Sequence, residues 1–156
     1  MTATDLLLRP ATPADVPAIA AVQLAARAAA PMPACIHPPD GVRAHLAARF
    51  GTAENWVAEA GGRVVGYARF TRTWLNDLYV DPDHQGCGVG GALLDLVKAR
   101  HPAGFSLWVF EQNLPARAFY AARGLAEREH TDGSGNEERT PDLRMEWTPR
   151  SVGGSS

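Results

Sequence analysis

Apolar and polar residues alternate along this chain with two different periods, which together predict a mixture of strands and helices. Residues 143–147 alternate strictly, as in a half-buried strand, whereas apolar residues at 89, 92, 93, 96 and 97 follow one helix face. Strands are predicted over 6–11, 56–60, 63–71, 74–80, 105–110, from Leu125 onward and over 143–147. Helices are predicted from Pro13, over 40–50, over 89–100 and from Asn113 to Gly124. The order β-α-α-β-β-β-α-β-α-β-β predicts one mixed sheet with helices on both faces.

Local signals mark the ends of several of these elements. Thr12 and Asp15 form an acidic capping box around Pro13, which suits the first helical turn because its missing N–H is not needed there. Gly61-Gly62 separates two strand-like runs and predicts a hairpin with a turn of the primed type. The prolines in residues 31–39 exclude a helix there and predict a stiff connector.

Composition is that of an ordinary globular protein. The chain has 156 residues, of which 46% are apolar and 21% charged, and its formal net charge is −2. We predict one domain over residues 1–150 and a disordered tail over 151–156. The weak charge, without a basic stripe, argues against a nucleic-acid partner. No apolar run approaches the ~20 residues of a membrane span. No secretory signal is visible, so we expect a cytoplasmic protein that has no membrane partner.

The segment with the most specific chemistry is residues 81–91, between a predicted strand and the most regular helix. It contains Gly86, Gly88, Gly90 and Gly91. Glycine permits positive φ and close approach of a ligand, and N–H groups at a helix start bind phosphate oxygens. Gly90 and Gly91 lie in the first helical turn, where glycine costs ~1 kcal/mol relative to alanine. Since a purely structural turn has no use for them there, we predict a phosphate-binding loop.

Two families of phosphate loop are compatible with these glycines. Gly86, Gly88 and Gly91 have the spacing of the dinucleotide fingerprint, and Glu111 stands where its acidic ribose ligand is expected. However, five residues separate Val80 from the first glycine, and only 45 residues follow Glu111 (156 − 111). That remainder is too short for the second half of a dinucleotide fold. A small NAD(P)-binding protein is therefore the less favoured alternative.

The second family matches more of the chain. Residues 85–90, Gln-Gly-Cys-Gly-Val-Gly, resemble the Q/R-x-x-G-x-G/A pyrophosphate loop of the GNAT acetyltransferase superfamily. Residues 77–82 resemble the strand before that loop, and residues 113–125 resemble the later helix motif of the family. The resemblance implies an α+β fold of the acyl-CoA N-acyltransferase type. Its single mixed, mostly antiparallel central sheet would have about seven strands and be flanked by four helices.

The resemblance implies acetyl-CoA as co-substrate. Main-chain N–H groups of residues 85–90 would hold the coenzyme A diphosphate, and the backbone around Leu78 and Val80 would hydrogen-bond the pantetheine arm like an added strand. Asn113 is predicted to cap its helix and is a further candidate contact of that arm. The predicted cofactor-binding residues are Leu78, Tyr79, Val80, Gln85, Gly86, Cys87, Gly88, Val89, Gly90, Gly91 and Asn113.

The resemblance also implies two catalytic groups. Tyr120 occupies the position of the family's general acid, which protonates the leaving thiolate, although packing beside Phe119 would also explain a tyrosine here. The backbone N–H of Val80 is the expected oxyanion donor. Cys87 is predicted to be a small filler of the loop. An acyl-cysteine mechanism would need an adjacent base, for which His84 is the only nearby candidate.

The general base is left open by the sequence. Many members of the family carry a glutamate on the strand before the loop, whereas this chain reads Asn76-Asp77. Asp77 is predicted either to take the amine proton through water or to attract a cationic amine. Glu111 is a second candidate base. No metal site is predicted, since Cys35 and Cys87 lack metal-ligand spacing.

The acceptor is predicted to be a primary amine of a small molecule or a peptide. Trp74, on the same predicted strand as Asp77, is expected to line the acceptor cleft. The connector 31–39 is a candidate wall of that cleft. The polar loop 131–141 is either a cover over it or an ordinary solvated hairpin loop. The alternative to a transferase on this fold is a non-catalytic acyl-CoA sensor, and a homodimer is common among similar proteins.

Overall fold

The computed structural model describes residues 6–33 and 37–149, and its elements follow the predicted order. The strands are β1 (Leu6–Pro10), β2 (Glu54–Ala60), β3 (Arg63–Phe70), β4 (Leu75–Val80), β5 (Phe105–Phe110), β6 (Ala126–His130) and β7 (Asp142–Trp147). The helices are α1 (Val16–Ala29), α2 (Pro39–Arg49), α3 (Val89–Arg100) and α4 (Leu114–Ala122). The predicted tail 151–156 and Cys35 lie outside the described residues.

The strands form two antiparallel sheets, ordered β1-β2-β3-β4 and β5-β7-β6. Within the described residues a single parallel bridge, Trp74 to Ser106, joins β4 to β5. The α+β class, the strand number and the four helices are confirmed. The expected single continuous sheet is corrected to two sheets. The reason lies in β4, where Leu75 and Asp77 oppose the consecutive residues Phe70 and Arg69, leaving Asn76 as a bulge. A bulge bends its strand, and this one follows the bridge directly.

The turn and cap signals have the geometry that the sequence predicts. Gly61 and Gly62 have φ of 60° and 77°, as a primed two-residue hairpin requires. The Thr12 N–H donates to the Asp15 carboxylate at 2.7 Å, ahead of α1. The Asn113 side chain caps α4 by accepting from the Ala116 N–H.

Two apolar cores lie on opposite faces of the larger sheet. One is formed by α3, α4 and strands of both sheets, and the other by α1 and α2 against β2 and β3. Gly66 of β3 sets how closely α3 approaches the sheet, because a Cβ there would stand 2.9 Å from Cγ1 of Val89. This contact places the start of α3, and with it the glycine loop, beside the end of β4.

Candidate active site

A cavity of about 590 Å³ lies beside the end of β4, between the glycine loop, α4 and the C-terminal end of α1. Nine of the eleven residues predicted to bind the cofactor line it. They are Leu78, Tyr79, Val80, Gln85, Gly86, Gly88, Gly90, Gly91 and Asn113. The two others are Cys87, whose side chain is exposed, and Val89, which is buried against the sheet. The structure therefore brings three separate stretches of sequence to one cavity.

The glycine loop presents main-chain donors to this cavity. Gly86 and Gly88 have φ of 81° and 86°, a region that favours glycine, and α3 begins directly after Gly88. The Ala92 N–H is the first in α3 with an intrahelical acceptor, the Gly88 carbonyl, at 3.0 Å. No described residue accepts a hydrogen bond from the N–H groups of residues 86–91. Unpaired N–H groups at a helix start, reinforced by the helix dipole, form an anion site.

Gly90 and Gly91 have a packing role that the sequence analysis did not recognise. A Cβ at Gly90 would stand 3.2 Å from Cζ of Phe119, and one at Gly91 would stand 3.2 Å from Nη2 of Arg123. The expectation that a structural turn has no use for these glycines is therefore wrong. They allow two side chains of α4 to lie against the first turn of α3.

The outer edge of β4 is the second source of main-chain groups. The Asp81 N–H donates to the Val65 carbonyl at 2.8 Å, which fixes the hydrogen-bonded positions of the β3–β4 ladder. Because these positions alternate in an antiparallel pair, the amides of Leu78 and Val80 point away from β3. Gln85 Nε2 donates to the Val80 carbonyl at 3.2 Å, whereas the Val80 N–H has no acceptor among the described residues.

Tyr120 lines the cavity and is only 9% exposed. Burial raises the pKa of its phenol well above the ordinary value, and the negative charges that Tyr79 and Asp77 can carry add to this shift. The hydroxyl therefore stays protonated at neutral pH. It makes no hydrogen bond to another described side chain or carbonyl. The Phe119 ring meets the Tyr120 ring edge-on, with centroids 5.2 Å apart, so the expected packing against Phe119 is also present.

Asp77 lies on the α1/α2 face of β4 and does not line the cavity. It faces Arg69 across the ladder, with Asp77 Oδ2 3.9 Å from Arg69 Nη1. Burial raises the pKa of the Asp77 carboxyl, and the positive charge of Arg69 opposes that rise. Tyr79, two residues further along β4, does line the cavity. Burial raises the pKa of the Tyr79 phenol to about 12, and the charge of Asp77 adds to that rise.

Two other candidates lie away from this cavity. Glu111 lines a separate hollow with Arg117 and Pro141, and its half-exposed carboxylate is 3.7 Å from Nδ1 of His130. Trp74 immediately precedes β4, and its ring stacks on that of Trp108 with centroids 6.1 Å apart and planes 10° from parallel. Neither residue lines the cavity that the glycine loop and Tyr120 share. The role of Trp74 in acceptor binding stays a prediction.

The other side of the cavity is formed by the end of α1 and the connector, and the polar loop contacts these two segments. Pro31 and Met32 of the connector line the cavity, as do small residues at the end of α1 that the sequence analysis missed. An alanine-rich run from 25 to 30 was the available signal, since alanine leaves room for a ligand. In the loop 131–141, Glu138 Oε2 lies 3.3 Å from Arg27 Nη2 of α1. Glu137 Oε2 lies 3.4 Å from Nε2 of His37 in the connector. The loop is thus held against this wall by ion pairs.

Across residues 6–33 and 37–149, no three His, Cys, Asp or Glu side chains are grouped so that they could hold a metal ion. In the same part of the chain, no helix combines the length and the apolar character needed to cross a membrane. The polar side chains that line the cavity are those of Tyr79, Gln85, Asn113, Tyr120 and Arg123.

Known proteins resemble this chain in sequence and in fold. Residues 23–125 match the family model described as Acetyltransferase (GNAT) family. Peptidyl-lysine N-acetyltransferase YiaC of Escherichia coli (strain K12) is 35% identical over 79 residues, which cover 50% of this chain and 53% of YiaC. The matches to the curated relatives span between 26% and 65% of the length of those proteins.

Solved structures share the fold at lower sequence identity. The crystal structure of the "GCN5-Related N-acetyltransferase: Aminotransferase, Class-II" from Rhodopseudomonas palustris has a TM-score of 0.77 and 24% identity, covering 95% of this chain and 98% of that one. The structure of yncA from Salmonella typhimurium, with its cofactor acetyl-CoA, has a TM-score of 0.71 and 23% identity. That match covers 92% of this chain and 94% of yncA.

Proposed function

The chain belongs to the acetyltransferase (GNAT) family, and from this premise we propose that it is an acyl-CoA-dependent N-acetyltransferase. It transfers an acetyl group from acetyl-CoA to a primary amine while both are bound. The observation that carries the proposal is the run of unpaired N–H groups over residues 86–91, which faces the cavity that Tyr120 also lines. This arrangement joins a diphosphate site to a proton donor through one continuous space.

The cofactor is held mainly by the main chain. Its diphosphate binds the N–H groups of the glycine loop at the start of α3, where the helix dipole favours negative charge. Its pantetheine arm lies along β4 and exchanges hydrogen bonds with the outward-pointing amides of Leu78 and Val80. Asn113, at the start of α4, lines the same cavity and contacts the arm from the opposite side.

The transfer needs a nucleophile, an oxyanion donor and a proton for the leaving group. The neutral amine attacks the thioester carbon, and the Val80 N–H stabilises the resulting oxyanion. As the C–S bond breaks, Tyr120 donates its proton to the sulfur, and the new C–N bond remains as the amide. Because a thiol titrates near ~8.5, below the phenol, Tyr120 shares its proton with the developing thiolate in the transition state. The phenolate regains a proton from the solvent once the thiol has left.

Asp77 is the residue that we propose for the amine proton. Its raised pKa makes it a stronger base than an ordinary carboxylate. Since it lies behind the cavity wall, the proton reaches it through water. Glu111 is disfavoured because it lies in the separate hollow. The dinucleotide alternative needs Glu111 as its acidic ribose ligand, and its position in the separate hollow disfavours that alternative too.

The acceptor is a primary amine of a small molecule or a peptide. The similarity to a peptidyl-lysine N-acetyltransferase supports a lysine side chain as one candidate. A cytoplasmic location and a homodimer also stay proposals.

The experiment that tests this function is an amine-panel assay that detects free coenzyme A thiol. The purified chain, acetyl-CoA and each amine in turn should release thiol with at least one acceptor class. Cofactor binding is measured in parallel by thermal shift, because a ligand of the native state raises the melting temperature. Acetyl-CoA binding without turnover of any amine would indicate the non-catalytic sensor. Stabilisation by NADH and not by acetyl-CoA would refute the acetyltransferase.

A further inference from the structure

A positively charged side chain outside the glycine loop also lines this cavity. Arg123 follows the last residue of α4, and its side chain lines the cavity together with the loop. The guanidinium carbon lies over the Phe119 ring, 4.0 Å from the centroid. Stacking on an aromatic face fixes the plane of a guanidinium without using its N–H groups. Arg123 is therefore held in place with most of its donors available.

Most N–H donors of the Arg123 guanidinium have no acceptor among the described residues. One nitrogen, Nη1, donates to the Phe119 carbonyl at 3.3 Å. No carboxylate of the described residues lies within ion-pair distance of its guanidinium. By contrast, Arg117, on the same helix, pairs with Glu127 at 2.9 Å. A guanidinium has five N–H donors in a planar fork that matches phosphate.

The first turn of α3 is shaped to accept this side chain. Gly91 is a helical residue with an ordinary negative φ, so its backbone gives no reason for glycine. The reason lies in space, since a Cβ at this position would be 3.2 Å from Nη2 and 3.4 Å from Nε of Arg123. Glycine in a helix costs ~1 kcal/mol relative to alanine. At this position the missing Cβ leaves room for the guanidinium beside the first turn of α3.

We propose that Arg123 binds a phosphate group of coenzyme A and so supplements the main-chain donors of the glycine loop. This inference rests on the proposed function, because it requires coenzyme A in the cavity. The shared chemistry is a phosphate oxygen on the guanidinium fork, and either the diphosphate or the 3′-phosphate can supply it. Arg123 is a binding residue for the cofactor and takes no part in the acyl transfer.

The test measures the affinity of three thioester ligands by calorimetry. The ligands are acetyl-CoA, acetyl-3′-dephospho-CoA and acetyl-pantetheine, which carry all, some and none of the phosphates. The variants are Arg123→Gln, Arg123→Lys and, as a matched control on the same helix, Arg117→Gln. We expect Arg123→Gln to weaken acetyl-CoA roughly ten- to hundredfold, as for a lost hydrogen bond to a charged group. Arg123→Lys keeps the charge and should lose less, and Arg117→Gln should bind like the wild type.

The three ligands separate the outcomes. A loss that disappears with acetyl-3′-dephospho-CoA assigns Arg123 to the 3′-phosphate, and one that persists there but disappears with acetyl-pantetheine assigns it to the diphosphate. Equal affinity of Arg123→Gln and the wild type for acetyl-CoA overturns the proposal, and so does an equal loss for all three ligands, which would indicate packing. If the wild type fails to bind acetyl-CoA, the proposed function fails as well.

A second variant tests the same contact without removing the charge. Gly91→Ala should displace the guanidinium and weaken acetyl-CoA severalfold. It should also leave the melting temperature unchanged or raised, because alanine favours the helix. Unchanged affinity of Gly91→Ala would contradict the role given to Gly91. Double substitution with Arg123→Gln should add nothing to the loss in affinity if the two act through one contact.

Discussion

The two sides of β4 offer a ligand different kinds of polar group. Its outer edge, with the glycine loop, offers main-chain N–H groups that no described residue satisfies. Its α1/α2 face offers side chains that are already paired, such as Asp77 with Arg69 and, further out, Glu138 with Arg27. A ligand on the first side completes an unfinished hydrogen-bond pattern, whereas one on the second must compete with existing ion pairs. The first side therefore suits one invariable ligand, and the second can be altered by single side-chain changes.

The largest effect should come from the residue between the two sides. Tyr120→Phe removes the phenolic proton and keeps the ring, so folding should be unaffected. We expect kcat to fall roughly 10²–10⁴-fold, which is the usual contribution of a general acid. The KM of acetyl-CoA and that of the amine should change little. A rise in only one of the two KM values, with kcat unchanged, would assign Tyr120 to the binding of that substrate and refute its catalytic role.

Gly88→Val should damage only the cofactor side. With φ of 86°, this position favours glycine, so a β-branched residue there strains the loop and moves its N–H groups. We expect acetyl-CoA affinity to fall by about two orders of magnitude, an effect that strain of a few kcal/mol can produce. Calorimetry measures the affinity, and circular dichroism confirms the fold. Retained affinity would show that the phosphates bind elsewhere.

Asp77→Asn tests the acceptor side through pH. Burial raises the pKa of this carboxyl, so a base at this position loses activity as pH falls through a value above the usual ~3.9. We expect kcat/KM for the amine to drop about tenfold or more, and the acidic limb of the pH profile to disappear. Acetyl-CoA affinity should be preserved. An acidic limb that persists in Asp77→Asn would assign the base to another group.

The smallest effect should come from the polar loop. Glu138→Gln removes the ion pair with Arg27, whose side chains are both largely buried, and should raise the amine KM a few-fold. Glu137→Gln is the matched control, because its pair with His37 is exposed and exposed pairs contribute roughly 0–1 kcal/mol. Steady-state kinetics with the best amine of the panel measure both variants. Equal effects of the two would show that the loop does not shape the acceptor side.

The sequence predicts the cofactor side much better than the acceptor side, for a physical reason. Glycines with positive φ, a helix start and a strand end are local features, so residues 85–90 could be placed without knowing the rest of the fold. The distances between Asp77 and Arg69, or between Glu138 and Arg27, depend on how separate elements pack. No local pattern predicts them. Trp74 illustrates the difference, since its strand was predicted but its stacking on Trp108 was not.

Two fold features also had no readable signal. The bulge at Asn76 depends on the register of β3 against β4, and its residue type is not specific for a bulge. Gly66 lies in the middle of a strand, where glycine indicates a close approach but not by which element. Both features decide the shape of the cavity. The elements themselves follow from periodicity, and their observed ends differ from the predicted ones by up to three residues, as at the start of α1.

The open edge of β4 has a consequence for the protein before it meets a ligand. A strand edge with unpaired amides is a template for pairing with another chain, and natural proteins generally shield such edges. Under the proposed function, the pantetheine arm of the cofactor covers the amides of Leu78 and Val80. A ligand that covers these amides would therefore also oppose pairing of β4 with another chain.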